Sequence, residues 1–465
     1  MESPLFRTWM STVSKAPSAV AVIDADTGKK WSRAALAKAS AEWAENYRST
    51  VPRPWRRRVV MSVPNGGDWF CAFMGLLSAG AIPAPIDPSE PEEAQATAAR
   101  AIGATHIWRG GAFHRVAGPM PRGRIGRPLR NECLVKLTSG SSGTPKGLYA
   151  THAQMAADGG QVCSTMDIGP RDSNLATVPL GYSYGLGNLV LPLMLQGTRV
   201  VCASSVLPHA LAADISRFRP TVLATVPPVL RALAASGLGK ESLNPLRLVI
   251  SAGSALQPGV AEAFLARFGR HIHGFYGTSE TGGIAFDRTG EATTEGRSVG
   301  TPLDGVSLSL GARGAFTVSS RAVLGDGRFS PSDRGRLDRN GELVLLGRSD
   351  RMVKLAGRRV DLAEIERALK SLPGVREALA YAWEGPDPVL AAAALTDLRP
   401  VEIRRSLRLL LAPWKIPGRI VALPTFPVTA RGKTDVPRLR QVLMAPRTAT
   451  SISTLSADRQ MSARR

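Results

Sequence analysis

The chain has 465 residues, 44% of them apolar and 21% charged, too many for one compact core and apolar enough for two or three domains. Its formal charge of +22 is mostly arginine spread along the chain, and with 6% aromatics and no zinc-finger, RRM or helix-turn-helix pattern, no nucleic-acid partner is expected; small anions or an acidic protein fit the charge. No stretch reaches the roughly 18 uninterrupted apolar residues of a membrane span, the N-terminus with Glu2 lacks the apolar core of a signal peptide, and Cys71, Cys133, Cys163 and Cys202 are too scattered for a metal motif or disulfide framework, so a cytoplasmic protein with reduced thiols is expected.

In chain order, residues 33–47 have the Ala-rich periodicity of a helix and residues 58–63 are strand-like. Residues 68–79 form an apolar helix ending at Gly80, and residues 81–88 give a short strand with a proline-rich exit. This succession predicts a parallel α/β sheet with helical cover. Residues 134–137 are apolar enough for a buried strand end, and the ten residues that follow, from Thr138 to Gly147, read Thr-Ser-Gly-Ser-Ser-Gly-Thr-Pro-Lys-Gly. A second α/β round runs to about residue 288, with strands expected at 175–179, 198–202, 222–226 and 246–250. From about 295 to 347, short alternating segments with Gly and Asp turns predict β hairpins and a small barrel. Residues 349–445, with helices at 362–371 and 400–411, suffice for a separate α+β domain, and the Ser-, Thr- and Arg-rich residues 446–465 are expected to be disordered.

The Thr138–Gly147 stretch is built to hold phosphate. Glycines let successive N–H groups turn toward one anion, hydroxyls add donors, and Lys146 adds charge. A flexible linker would share the composition, but it has no need of one fixed cation in a closing Pro-Lys-Gly. A Walker A loop is excluded: the chain's one Gly-Lys-Thr, at Gly432-Lys433-Thr434, has Pro427 where that loop requires glycine. A competing motif is Gly181-Tyr182-Ser183-Tyr184-Gly185, a literal Gly-x-Ser-x-Gly nucleophile elbow that would make the protein a serine hydrolase. Against that alternative, only His209, His271 and His273 follow it, Asp214 is the sole aspartate between Ser183 and His273, and no oxyanion segment precedes it.

The phosphate loop, the Val-Pro-Asn segment at 63–65 with the Gly-Leu-Leu-Ser-Ala-Gly run after it, Ser251-Ala252-Gly253-Ser254-Ala255-Leu256, Gly274-Phe275-Tyr276-Gly277-Thr278-Ser279-Glu280 and Pro427-Val428-Thr429-Ala430-Arg431-Gly432-Lys433-Thr434-Asp435 occur in one order. Together they resemble the adenylate-forming superfamily: acyl-CoA synthetases, the adenylation domains of peptide synthetases, and luciferases. The resemblance covers nearly the whole chain apart from the tail. It implies a large N-terminal AMP-binding domain, 1–348, of two α/β subdomains plus a small β-barrel, and a small mobile α+β C-terminal domain, 349–445.

It also implies an ATP site, with Thr138, Ser139, Gly140, Ser141, Ser142, Gly143, Thr144 and Lys146 on the phosphates. Gly253, Ser254 and Ala255 would form one wall of the adenine pocket; Phe275, Tyr276 and Gly277 would flank the purine; Ser279 would donate to the α-phosphate and Glu280 would bind Mg²⁺. Asp333 would accept the ribose hydroxyls and Arg348 would contact the nucleotide, with Asp350 as interdomain pivot, Gly357 beside the passage of the thiol, and Lys433 stabilising the transition state. Tyr182, Ser183 and Gly283 would border the acyl pocket. The chain departs from the pattern in three places. Gly274 replaces the Asn or Gln that faces adenine, which leaves base recognition to backbone groups or His273; Pro-Ser-Asp replaces Thr-Gly-Asp at Asp333; and Tyr182 stands at a common His position. Ser183 falls where amino-acid-activating relatives carry Asp, so a fatty, aryl or hydroxy acid is expected rather than an α-amino acid. The implied acceptor is CoA or the phosphopantetheine of an acidic acyl carrier protein.

Overall fold

The computed structural model describes residues 3–90, 92–118, 128, 131–139, 145–348, 352–355, 358–383, 389–411, 413–429 and 434–444. The chain divides into two compact units, Met1–Leu346 and Gly347–Arg465.

The first unit opens with helix α1 (Pro4–Lys15), which Ser3 caps by accepting from the Phe6 N–H. A hairpin of β1 (Val20–Asp24) and β2 (Lys29–Ser32) leads into α2 (Arg33–Thr50). Then β3 (Arg58–Ser62), α3 (Gly67–Ser78), β4 (Ile82–Ile86), α4 (Glu92–Ile102), β5 (His106–Arg109) and β6 (Ala112–Arg115) form a four-stranded sheet, order β4-β3-β5-β6, with its helices. Both of its crossover pairings, β3 with β4 and β3 with β5, are parallel, as the strand-helix-strand pattern predicts.

An antiparallel hairpin of β7 (Glu132–Ser139) and β8 (Pro145–Thr151) follows, then α5 (His152–Thr165). Next come β9 (Ser173–Ala176), β10 (Arg199–Cys202), β11 (Val222–Thr225) and β12 (Leu248–Ser251), close to the expected positions. With β13 (His273–Thr278), β14 (Gly282–Phe286) and β15 (Thr301–Pro302) they complete a nine-stranded sheet, order β15-β14-β13-β12-β11-β9-β10-β1-β2. The middle strands are short apolar runs because both faces are covered. Val22, Val200 and Ala224 point into one core, while Ile23, Leu175, Val201, Leu223 and Val249 point into the other. The hairpin region consists of a three-stranded antiparallel sheet, β16 (Ser307–Leu310), β17 (Phe316–Ser319) and β18 (Arg328–Phe329), and a ribbon of β19 (Asp333–Leu337) and β20 (Leu343–Arg348). Phe316, Val318 and Leu343 join these to the core beneath β14.

In the second unit, β21 (Met352–Leu355) pairs with β22 (Arg358–Asp361), and β23 (Glu377–Trp383), β24 (Val389–Leu395) and β25 (Arg419–Leu423) form a mixed sheet. The alanines of β24 alternate between two small cores, Ala392 and Ala394 facing one and Ala391 and Ala393 the other. Leu362–Lys370 and Pro400–Leu410 are helical, as their apolar spacing predicts.

Candidate active site

In a parallel sheet the residues free to meet a ligand lie past the C-terminal strand ends. The last residues of β11 and β12, Thr225 and Ser251, carry buried hydroxyls without a hydrogen-bond partner among the described residues, as does Ser62 at the end of β3. The loop after β12 holds the exposed Gly253, Ser254 and Ala255. Gly253 has φ +88, and a Cβ there would meet nothing nearer than Val226 Cγ1 at 3.7 Å, so a flat group can lie against the backbone.

Next to this loop, β13 carries Phe275, Tyr276 and Gly277. The Tyr276 hydroxyl donates to Asp333 Oδ2 at 3.0 Å, bringing together two residues 57 apart that the sequence assigns to one nucleotide. Asp333 opens β19, so the ribbon presents the carboxylate and the sheet presents the ring. The turn beyond β13 is fixed by reciprocal bonds between Thr278 and Thr281, and the Glu280 carbonyl accepts from the Leu324 N–H at 2.8 Å. The half-buried Glu280 carboxylate has no protein hydrogen-bond partner among the described residues. At the Gly274 departure, the backbone N–H donates to Thr293 Oγ1 at 2.8 Å, and His273 Nδ1 is engaged by the Asp287 carbonyl at 2.9 Å. Burial holds the His273 ring below the usual histidine range.

The hairpin strands β7 and β8 pair as far as Ser139 and Pro145, and Thr138 Oγ1 donates to the Lys146 carbonyl at 3.3 Å. Lys146 is exposed. Gly140, Ser141, Ser142, Gly143 and Thr144 lie outside the described residues. At the base of the hairpin, Arg58 of β3 makes a two-pronged buried pair with Glu132 of β7, at 2.7 and 3.0 Å, and lies over the Tyr149 ring of β8 at 4.3 Å.

The segment around Ser183 is held from the first α/β round. Asn65 donates to the Val178 carbonyl at 2.9 Å and accepts from the Leu180 N–H at 3.0 Å, and the Tyr182 hydroxyl donates to Asp87 Oδ2 at 2.8 Å. Ser183 then starts a helical run to Gln196 with a π turn at Leu186–Val190, and its hydroxyl meets Ser279 Oγ at 3.1 Å. A serine nucleophile would need an imidazole there. The Ser183 hydroxyl bonds Ser279 instead, and among the described residues no histidine is a hydrogen-bond partner of Ser183. Gly283, expected at the acyl pocket, donates its N–H to the buried Asp158 of α5 at 3.1 Å. Burial pushes the Asp158 carboxyl up, and Lys136 of β7 opposes the shift. Lys136 is itself buried and donates to the Ser279 carbonyl at 3.4 Å.

Asn65 and Asp87 fall in the segment resembling the superfamily's first subdomain, though the resemblance assigns them no role, and Lys136 and Asp158 carry no recognisable motif. Of these last two, Lys136 alone left a signal, as a charge inside the apolar run Leu134-Val135-Lys136-Leu137. Arg348 ends β20, while Asp350, Gly357 and Lys433 lie outside the described residues. The lysine's segment is bracketed by an antiparallel bridge between Val428 and Thr434.

Residues 124–311 match the family model of the AMP-binding enzyme. The benzoate–CoA ligase of Thauera aromatica is 28% identical over 348 residues, 67% of this chain and 66% of that protein. Triostin synthetase I of Streptomyces triostinicus is 28% identical over 457 residues, 83% of this chain and 85% of the match. ATP-bound MatB from Rhodopseudomonas palustris shares the fold at a TM-score of 0.81 and 19% identity, covering 95% of this chain and 99% of that one.

Proposed function

Since the chain belongs to the adenylate-forming superfamily of AMP-binding enzymes, we propose that it activates a carboxylic acid with ATP and passes the acyl group to a thiol. The observation that carries this reading is the Tyr276–Gly283 segment. One end meets Asp333, the expected ribose acid, and the other meets Ser183 and Asp158 on the acyl side, so one short stretch spans both substrates of an acid–nucleotide condensation.

In the first step a carboxylate oxygen attacks the α-phosphorus, forming acyl-AMP and releasing pyrophosphate. The Thr138–Lys146 loop steers the leaving phosphates, and Ser279 donates to the α-phosphate. Among the described residues no cluster of three acidic, His or Cys ligands forms a cage for a metal. Mg²⁺ does not need one, because it is ordinarily held by one or two carboxylates plus substrate phosphates, and Glu280 supplies a carboxylate. There the ion would neutralise phosphate charge. Lys433, in the second unit, stabilises the charge that builds as oxygen attacks phosphorus. In the second step a thiol sulfur attacks the acyl carbon, AMP leaves and the thiol proton passes to solvent; CoA or a carrier-protein phosphopantetheine supplies the thiol. Residues 1–348 bind acid and nucleotide, and residues 349–445 swing about Asp350, with Gly357 admitting the thiol arm. No helix among the described residues is long and apolar enough to cross a membrane, and we assign the reaction to the cytoplasm.

The test is carboxylate-dependent exchange of labelled pyrophosphate into ATP over a panel of fatty, aryl and hydroxy acids. Exchange with at least one acid, followed by thioester formation when CoA or a phosphopantetheinylated carrier is added, is expected. No exchange with any acid, alongside ester hydrolysis abolished by Ser183→Ala, would overturn the reading.

A further inference from the structure

The acyl side of the site contains two charges that the two steps above do not use. Lys136 and Asp158 are each 3% exposed. A buried ion normally satisfies its hydrogen-bonding capacity, because charge taken out of water is costly unless paired. Among the described residues neither does so. The Lys136 ammonium has three protons and one long hydrogen bond, 3.4 Å to the Ser279 carbonyl. The Asp158 carboxylate accepts one, from the Gly283 N–H at 3.1 Å.

Two of the backbone positions packed against the Asp158 carboxylate are glycines. A Cβ at Gly282 would collide with its Oδ1, and a Cβ at Gly187 would lie 3.4 Å from its Oδ2. Gly187 is one helical turn beyond Ser183, and Gly283 stands in the expected acyl pocket. Glycine at 187 and 282 therefore lets the backbone close tightly on the carboxylate, which leaves no side chain there to share its remaining lone pairs, and the Lys136 charge acts on it through space against the cost of burial.

We propose that Asp158, with Lys136 as its charge partner, is the polar floor of the acyl pocket and selects acids carrying a hydrogen-bond donor, a hydroxyl or amine, remote from the reacting carboxylate. This rests on the ligase reading and on Tyr182, Ser183 and Gly283 bordering the pocket. An acid with an apolar end would leave the carboxylate underbonded in a dry site, and sites built around a polar group reject analogues lacking it far better than apolar pockets reject an extra methylene.

The test is ATP–pyrophosphate exchange with benzoate and hexanoate, each against its ring- or terminally hydroxylated, aminated and methylated counterparts. The wild-type protein should favour a hydroxylated or aminated acid over its methylated isostere by at least about 10-fold in kcat/KM. The hydroxyl and amine arms distinguish the two donors. Asp158→Leu with Lys136→Met should abolish or invert the preference while leaving the KM for ATP within about 2-fold. Asp158→Asn, which keeps an acceptor for the Gly283 N–H, should reduce the preference without loss of fold. Equal wild-type use of apolar and donor-bearing acids would overturn the inference and leave the ligase reading intact. Exchange with no acid at all would overturn both.

Discussion

At the scale of single residues, the Tyr276–Asp333 bond can be tested apart from the aromatic ring that carries it. Tyr276→Phe keeps the surface that would stack on a purine and removes only the hydroxyl that orients Asp333. A hydrogen bond to a charged group contributes about 1.5–3 kcal/mol. Other contacts hold Asp333, so the lower end of that range applies, and the KM for ATP in pyrophosphate exchange should rise about 10- to 15-fold. An unchanged KM would show that the hydroxyl does not position the carboxylate. Tyr276 and Glu280 stand out in the sequence because they sit in a short stretch whose order is itself informative, Asp333 stands out less because Pro-Ser precedes it, and the structure brings Tyr276 and Asp333 together. Asp158 was not legible: a lone aspartate in a helix of small residues reads as a solvated face, and only the approach of Lys136 and Gly283 from distant strands makes it a buried charge.

At the scale of elements, two contacts tie secondary structures to one another, and both respond to simple changes. Arg58 joins β3 to β7 through its pair with Glu132, and both side chains are almost wholly buried. Removing one partner of a buried pair strands the other charge, at a cost of about 3–5 kcal/mol, whereas replacing both with apolar groups is often close to neutral. Arg58→Met should therefore lower the denaturant midpoint sharply, and Arg58→Met with Glu132→Leu should recover most of the loss. If the double variant is as unstable as the single one, the stability lies in the arginine's packing on Tyr149 and its bond to the Ile102 carbonyl.

The second contact is at the start of α5, where His152 Nδ1 meets Ser3 Oγ at 3.2 Å. Burial, with a smaller contribution from Arg7, holds the ring down to about 4, against about 6.5 in the unfolded chain. Between those values the unfolded chain binds the proton and the native one does not, so stability is complete above about pH 6.5 and is lost as pH falls toward about 4. Allowing for the ring's partial exposure, the loss is about 1–2 kcal/mol. A positive charge at a helix N-terminus also opposes the dipole. His152→Asn should flatten the fall in Tm between pH 6.5 and 4 relative to wild type, and identical slopes would remove His152 from the account. Such ties explain why element identity was easier to read than element position. The parallel strands β9 to β12 announce themselves as short apolar runs, but nothing local in Arg58, Glu132 or His152 says which distant residue each will meet.

At the scale of the whole molecule, the chain is two compact units, and the residues assigned to the reaction divide unequally between them. The described nucleotide and acyl residues, from Thr138 to Asp333, belong to the first, and Lys433 belongs to the second. The boundary at Leu346–Gly347 falls within the β20 span, a few residues before the Asp350 pivot expected from sequence. A lysine on a separate unit can act in one half-reaction and be withdrawn for the other, because its long stem reaches a site that its own unit does not build. Removing a charge-stabilising donor typically costs about 10²- to 10³-fold in rate, so Lys433→Ala should lose pyrophosphate exchange by about that factor. The same variant, given preformed acyl-AMP and a thiol, should form thioester at close to the wild-type rate, since no bond to phosphorus is then being made. Equal loss of both half-reactions would mean that Lys433 serves folding or general binding, and the division of labour between the two units would have to be assigned to other residues.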